Sequence, residues 1–286
     1  MFSRPVGLLG RDSGILRRVF APDGLARAPD MGWIGGGQRR QNQRMPDAIF
    51  DDPRLAQVYD PLDPDRSDLD AYVDLAEELD ARSVLDVGCG TGTFACMLAR
   101  RGVHVTAVDP ARASLDVART KPYADAVDWL LGDATTLPPL SVDAAFMTAN
   151  VAQVFLTDDD WAATLRGIRA AVHPGGMLVF ETRDPARRAW EEWTPELTRT
   201  VVDVPGVGVV ESWEEVTAVD GPLVTFRSMT AFRRDDLVLE SISTLRFRSR
   251  SEIEDSLVVE GFELVEVRDA PDRPGREIVF LSLRPR

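Results

Sequence analysis

Lysine is almost absent from this 286-residue sequence: of the 33 basic residues only Lys121 is lysine and the rest are arginine. Positive charge as a whole is in deficit, with 47 acidic residues and a formal net charge of -14. Nonspecific nucleic-acid affinity comes from Lys and Arg neutralising phosphates, so no nucleic-acid partner is expected. Only two cysteines occur, Cys89 and Cys96. Their spacing fits neither a CxxC redox pair nor a zinc site, and they read as small apolar fillers in a reducing cytosol. His104 and His173 stand apart from acidic or sulfur ligands, so no metal is expected. No stretch approaches the roughly 20 uninterrupted apolar residues that span a bilayer. A cytoplasmic protein without membrane association is therefore the expectation. Internal repeats and low-complexity tracts are missing too.

What remains is ordinary globular material, 44% hydrophobic and 28% charged, enough for one large α/β domain with an elaboration. Residues 1–45 hold eight Arg against three acidic residues and three consecutive glycines, Gly35 to Gly37, and read as a flexible basic extension. Met45 offers an alternative start.

Residues 46–197 are expected to form the core. Ser67 caps a helix carrying Leu69, Tyr72, Val73, Ala76 and Leu79 at helical spacing. Strands are expected over 83–87, 103–108, 127–131, 142–148 and 177–181. Helices follow them, and Pro174-Gly175-Gly176 stops the one before the fifth strand. Such alternation implies a parallel sheet wound by right-handed crossovers, with a ligand crevice at the strands' carboxyl ends. Within 198–250 the period falls to two. Segments 207–217, 223–232 and 237–247 predict an inserted antiparallel β cap. Residues 251–286 return to the core, with Ser251 and Glu254 as a capping box and two last strands over 262–267 and 278–283.

The run Val84-Leu85-Asp86-Val87-Gly88-Cys89-Gly90-Thr91-Gly92 lies where the first strand gives way to its helix. Glycines there permit positive φ and let a ligand approach backbone N–H groups. The spacing is not that of a GxGxxG dinucleotide fingerprint, and a carboxylate two residues before the first glycine suits a cationic ligand better than a phosphate. Asp109 ends the second strand, and Gly132-Asp133-Ala134 follows the third.

On these residues the sequence resembles the class I S-adenosylmethionine-dependent methyltransferases, small-molecule branch, over roughly residues 55–285. The resemblance implies a Rossmann-like seven-stranded, mostly parallel sheet of order 3-2-1-4-5-7-6 with the last strand antiparallel, and S-adenosyl-L-methionine as cofactor. It implies that Asp86, Gly88 and Gly90 lie along the methionine part of the cofactor and that Asp109 grips the ribose hydroxyls. Asp133 and Ala134 would meet the adenine, and Tyr59 resembles the aromatic that closes over the cofactor in relatives. Asn150 and Gln153, after the fourth strand, would face the transferred methyl group.

Methyl transfer from a sulfonium is an in-line displacement that rests on positioning, and an obligatory base need not exist. None is evident among the residues. Specificity for a small polar acceptor is expected in the cap. The candidates are Arg183, Trp190, Trp193, Glu211, Trp213, Arg227, Arg246 and Arg248. Glu211, Trp213 and Glu215 share one strand face, and Arg246 and Arg248 share another. Two other readings stand beside this one: a non-catalytic S-adenosylmethionine-binding module, and an NAD-dependent oxidoreductase on a related sheet. Monomer and homodimer are equally compatible.

Overall fold

The computed structural model describes residues 46–286; the basic extension expected over 1–45 lies outside the described residues. Two short helices, α1 (Ala48–Asp51) and α2 (Pro53–Leu62), open the described chain, where the apolar spacing predicts none. Asp52 starts α2 by accepting hydrogen bonds from the N–H groups of Arg54 and Leu55, with Pro53 in the first turn where its missing N–H costs nothing. Ser67 does not cap the next helix. It belongs to a single 3-10 turn, and α3 (Asp70–Glu78) begins after Leu69 with no side-chain cap.

The core then alternates β1 (Ser83–Val87), α4 (Thr93–Arg100), β2 (His104–Asp109), α5 (Arg112–Ala118), β3 (Val127–Leu131), β4 (Val142–Met147), α6 (Asp158–Ala171) and β5 (Val172–Arg183). After a short helix α7 (Pro195–Thr198) come four cap strands, β6 (Thr200–Val204), β7 (Gly208–Asp220), β8 (Leu223–Phe232) and β9 (Leu237–Arg246). The chain closes with α8 (Arg250–Val259), β10 (Glu263–Asp269) and β11 (Glu277–Leu283).

The large sheet runs 3-2-1-4-5-11-10. With the cap strands set aside this is the expected order 3-2-1-4-5-7-6. β11 is antiparallel to β5, and the four pairings among β1 to β5 are parallel. Because a parallel sheet is covered on both faces, its inner strands are mostly apolar. One face packs Val84, Phe94, Leu98, Phe146 and Val179, and the other Leu85, Trp161, Leu165, Phe180 and Phe280.

Three local readings are corrected. β5 starts at Val172, so Pro174-Gly175-Gly176 does not stop α6, which has already ended at Ala171. Instead those residues bulge the strand where its register with β4 slips between Val142 and Ala144. The capping box sits two residues earlier than expected, at Ser249 and Glu252, with both reciprocal bonds made. The cap has four strands in the order β6-β7-β8-β9, since Thr200–Val204 pairs antiparallel with β7. Helix α2 joins cap to core: Leu55 and Val58 pack with Val204, Val210 and Phe232.

Candidate functional site

Asp86, Asp109 and Asp133 stand at the carboxyl ends of three adjacent parallel strands, Asp86 near the end of β1, Asp109 at the last position of β2 and Asp133 two residues past β3. Hydrogen bonds sew these ends together. The Gly88 N–H donates to the Val108 carbonyl at 2.9 Å, and the Gly132 N–H to the Asp109 carbonyl at 3.1 Å. The Asp109 carboxylate accepts from the Gly90 N–H and from the Ala111 N–H, each at 2.8 Å.

Gly88, Gly90 and Gly92 all have positive φ, as a turn this tight requires. Their surroundings differ. A Cβ on Gly88 would lie 2.7 Å from Val151, and one on Gly92 would lie 2.4 Å from the Trp129 ring, whereas around Gly90 nothing comes within 4 Å. Gly90 is thus the open point of the turn, a cradle that a side chain would fill. Beside it Asp86 is 1% exposed, with one carboxylate oxygen lacking any hydrogen-bond partner. Burial, and next the charge of Asp109, push its carboxyl up to about 8. Burial pushes Asp109 upward too, opposed by the Ala111 and Gly90 N–H groups. Two buried carboxyls beside the open Gly90 turn, one with an unpartnered oxygen, suit a cationic group, so these residues fit the sulfonium and ammonium of S-adenosylmethionine. Asp133 is half-buried and accepts from the Thr135 N–H and hydroxyl at 2.8 and 2.6 Å, while Ala134 is buried.

The turn is braced by residues that sequence reasoning passed over. The Thr91 hydroxyl donates to Asp60 at 2.7 Å, and the ammonium of Lys121, the chain's single lysine, meets Asp60 at 2.7 Å and Thr93 at 2.6 Å. Asp60 therefore fastens the end of α2 to the glycine turn and holds Tyr59 beside it. The Tyr59 ring lies 5.7 Å from that of Phe50, and burial drives its hydroxyl pKa upward against the pull of Arg66. No periodicity could have shown this cluster, because its members come from three separate segments.

After β4, Ala149 and Asn150 both adopt left-handed backbone, at φ 54° and 62°, a strained pairing for non-glycine residues. Asn150 is 5% exposed with its Oδ1 unpartnered, and Gln153 is fully buried with its Nε2 unpartnered. The Gln153 Oε1 accepts from Arg183 at 2.8 Å. Arg183 ends β5, lies 3.7 Å from Glu277 on β11 and stands over the Trp193 ring at 5.4 Å. On the same strand face the Tyr72 hydroxyl donates to Glu181, whose carboxyl is raised to about 7 by burial; the charges of Glu277 and Asp272 add to this rise, while the Tyr72 hydroxyl and the Ala149 N–H hold it down.

The cap corrects the candidates placed there. One face carries the buried Val210, Ser228, Thr230, Ser241 and Ser243 with the half-buried Glu214 among them, and the strand register puts Ser228 opposite both Glu214 and Ser241. Strand alternation puts Glu211, Trp213 and Glu215 on the other face. There Glu211 pairs with Arg199 at 2.5 Å and with Arg233, and Glu215 pairs with Arg227 at 2.5 Å. Trp213, Glu211 and Arg227 are thus not brought to the Arg183 region, whereas Trp193 is, with its ring 4.9 Å from that of Phe226. Trp190 packs edge-on against Phe247 at 4.5 Å. Arg246 and Arg248 do not share a strand face, because β9 ends at Arg246. Both are engaged with the segment before α6. Arg246 donates to the Leu156 carbonyl at 3.0 Å and pairs with Asp158 at 2.9 Å, and Arg248 donates to the Thr157 carbonyl at 3.0 Å.

Comparison with known proteins agrees with this geometry. The family description "Methyltransferase domain" matches residues 84–176. A cypemycin N-terminal methyltransferase of a Streptomyces species is 37% identical over 117 residues, 41% of this chain and 48% of its own length. The chain spans 24–56% of the length of the curated relatives it matches. Among solved structures, the sugar N-methyltransferase KedS8 of Streptoalloteichus superposes with a TM-score of 0.66 at 18% identity, covering 89% of this chain and all of its own. The amino pentose methyltransferase CalS10 of Micromonospora echinaspora gives 0.61 at 23% identity, covering 80% and 97%. These structures share the fold.

Proposed function

We propose that this chain, which carries a class I S-adenosylmethionine-dependent methyltransferase domain, transfers a methyl group to a small polar acceptor held between the carboxyl edge of the large sheet and the buried face of the cap. The observation that carries this reading is the buried Asp86 carboxyl with an unpartnered oxygen beside the open Gly90 turn. S-adenosylmethionine, when bound, supplies an activated methyl on a positively charged sulfur, so the acceptor's nucleophile needs only to be brought into line with it. Asp86 and the turn from Gly88 to Gly90 would hold the amino-acid part, Asp109 the ribose, and Asp133 with Ala134 the adenine. Tyr59, fastened by Asp60, would close the cofactor side. Asn150 would sit against the cofactor, and Gln153 and Arg183 would orient the acceptor.

A small acceptor is supported by the scale of the cap and by similar structures named for a sugar and an amino pentose. No described helix is long and apolar enough to cross a membrane. The cytoplasm is the compartment we infer, with Cys89 and Cys96 both free as suits a reducing environment. The test is incubation of the purified chain with methyl-labelled S-adenosylmethionine and a library of small polar metabolites. Label should pass to at least one acceptor as S-adenosylhomocysteine accumulates. Cofactor binding without transfer to any acceptor would leave a binding module and contradict the reading.

A further inference from the structure

Three glutamates of β7, at 211, 214 and 215, set up a contrast between its two faces. Glu211 and Glu215, on its outer face, each have arginine partners, Glu211 with Arg199 and Arg233 and Glu215 with Arg227. Glu214, on the inner face, has none: among the described residues no cation lies within ion-pair distance of it. Its one side-chain hydrogen bond is a long one, 3.4 Å from the Ser228 hydroxyl. Glu211 is the most buried of the three at 5% exposure, and its two arginines answer that burial; Glu214, half-buried on the opposite face, has no such answer, which leaves it able to take a partner from outside.

Glu214 faces the region of Arg183 and Trp193. Its charge reaches Tyr59, on the cofactor side, and it feels Arg183, which partly offsets the upward push of burial on its carboxyl. Arg183 donates to Gln153, lies near Glu277 and stands over the Trp193 ring at 5.4 Å, but makes no ion pair with Glu214. Two residues along the same strand face, the Val216 N–H donates to the Trp193 carbonyl at 3.3 Å, and Phe226 stands opposite Val216 with its ring 4.9 Å from that of Trp193. A lone carboxylate next to an aromatic wall is a combination that attracts an ammonium ion, through charge on one side and ring quadrupoles on the other.

We propose that Glu214 is the acceptor-binding carboxylate and that the acceptor is an amine, received as its ammonium between Glu214 and the Trp193–Phe226 wall. This rests on the methyltransferase reading above. A neutral hydroxyl would leave the carboxylate's charge without compensation, whereas an ammonium both pairs with it and donates to it. The ammonium proton passes to the Glu214 carboxylate and then to water. The freed nitrogen lone pair forms the new N–C bond while the C–S bond breaks, and its electron pair stays on sulfur.

The experiment uses the full chain, labelled S-adenosylmethionine and matched probes: glucosamine with glucose, further amino sugars with their hydroxyl analogues, and a short peptide with a free or acetylated N-terminus. Methylation should be confined to members bearing a free amine, and the peptide arm distinguishes a small-molecule amine from a chain terminus. For the best amine, Glu214→Gln should lower kcat/KM by roughly 100-fold, with Glu214→Asp intermediate, while S-adenosylhomocysteine affinity changes by less than about twofold. Glu215→Gln, on the outer face, should change neither. Methylation of the hydroxyl analogues, an undiminished Glu214→Gln, or no methylation of any probe by a chain that binds S-adenosylhomocysteine would overturn the proposal. Failure to bind S-adenosylhomocysteine at all would instead remove the methyltransferase reading itself.

Discussion

The Asp109 carboxylate clasps the Gly90 N–H at 2.8 Å, so the acidic residue that ends the second strand also holds the turn that follows the first. One side chain thereby shapes the cradle and, in the proposed function, meets the ribose within it. Asp109→Ala removes both roles. Its affinity for S-adenosylhomocysteine should fall by roughly 10- to 100-fold, about 1.4–2.7 kcal/mol, and calorimetric titration against the wild type measures it.

Gly90 and Gly92 separate binding from stability. Gly92→Ala puts a methyl 2.4 Å from Trp129 and 2.7 Å from Ala118 in left-handed backbone, and should cost roughly 2–4 kcal/mol in urea unfolding. Gly90→Ala meets no atom within 4 Å, so its cost should stay near the backbone penalty of about 1–2 kcal/mol. Its methyl fills the cradle, however, and S-adenosylhomocysteine binding should be lost from a protein that still folds.

The Asp86 carboxyl, raised to about 8 chiefly by burial, gives a pH dependence of defined sign. With its folded pKa above the ordinary carboxylate value of about 4, its contribution to ligand-free stability is fully present below about pH 4 and is lost as pH rises through about 8. Thermal midpoints of the ligand-free chain should therefore decline from about pH 5 to 8 and level off above, and Asp86→Asn should flatten the decline. A cationic ligand requires the ionised form. Affinity for S-adenosylmethionine should rise by up to about tenfold per pH unit between 6 and 8 and level off above.

Tyr72 and Glu181 form a buried hydroxyl–carboxyl pair beneath the Ala149 turn. Tyr72→Phe removes a donor from a carboxyl that is 4% exposed, and should destabilise the fold by roughly 1–3 kcal/mol. Because the hydroxyl is among the influences holding the Glu181 pKa down, that pKa should rise in the variant, read from the carboxyl stretch in infrared titration.

The large sheet was legible because its parallel strands are mostly apolar runs, β1 to β3 ended by glycine or aspartate, and βα alternation leaves few ways to arrange them. The glycine turn was legible because Asp86, Gly88 and Gly90 are neighbours in the chain. Helix α2 was not, since mean polarity hides its short apolar face of Leu55, Ala56 and Val58. In the cap the register was not legible. Ser212, Trp213, Glu214 and Glu215 put polar side chains on both faces of β7, so alternation alone could not say which face turns toward Arg183. Arg246 and Arg248 were read as ligand residues because charge invites it, yet both satisfy backbone carbonyls before α6, a use that no linear pattern records.

The measurement closest to the central claim is a structure of the chain with S-adenosylhomocysteine. The homocysteine amino group is predicted beside the unpartnered Asp86 oxygen, with the ligand running past Gly90 to Asp109 and on toward Asp133. Ligand lodged elsewhere, such as the cavity of about 670 Å³ lined by Asp51, Gln57, Arg112 and Asp116, with the Gly90 cradle left empty, would contradict it.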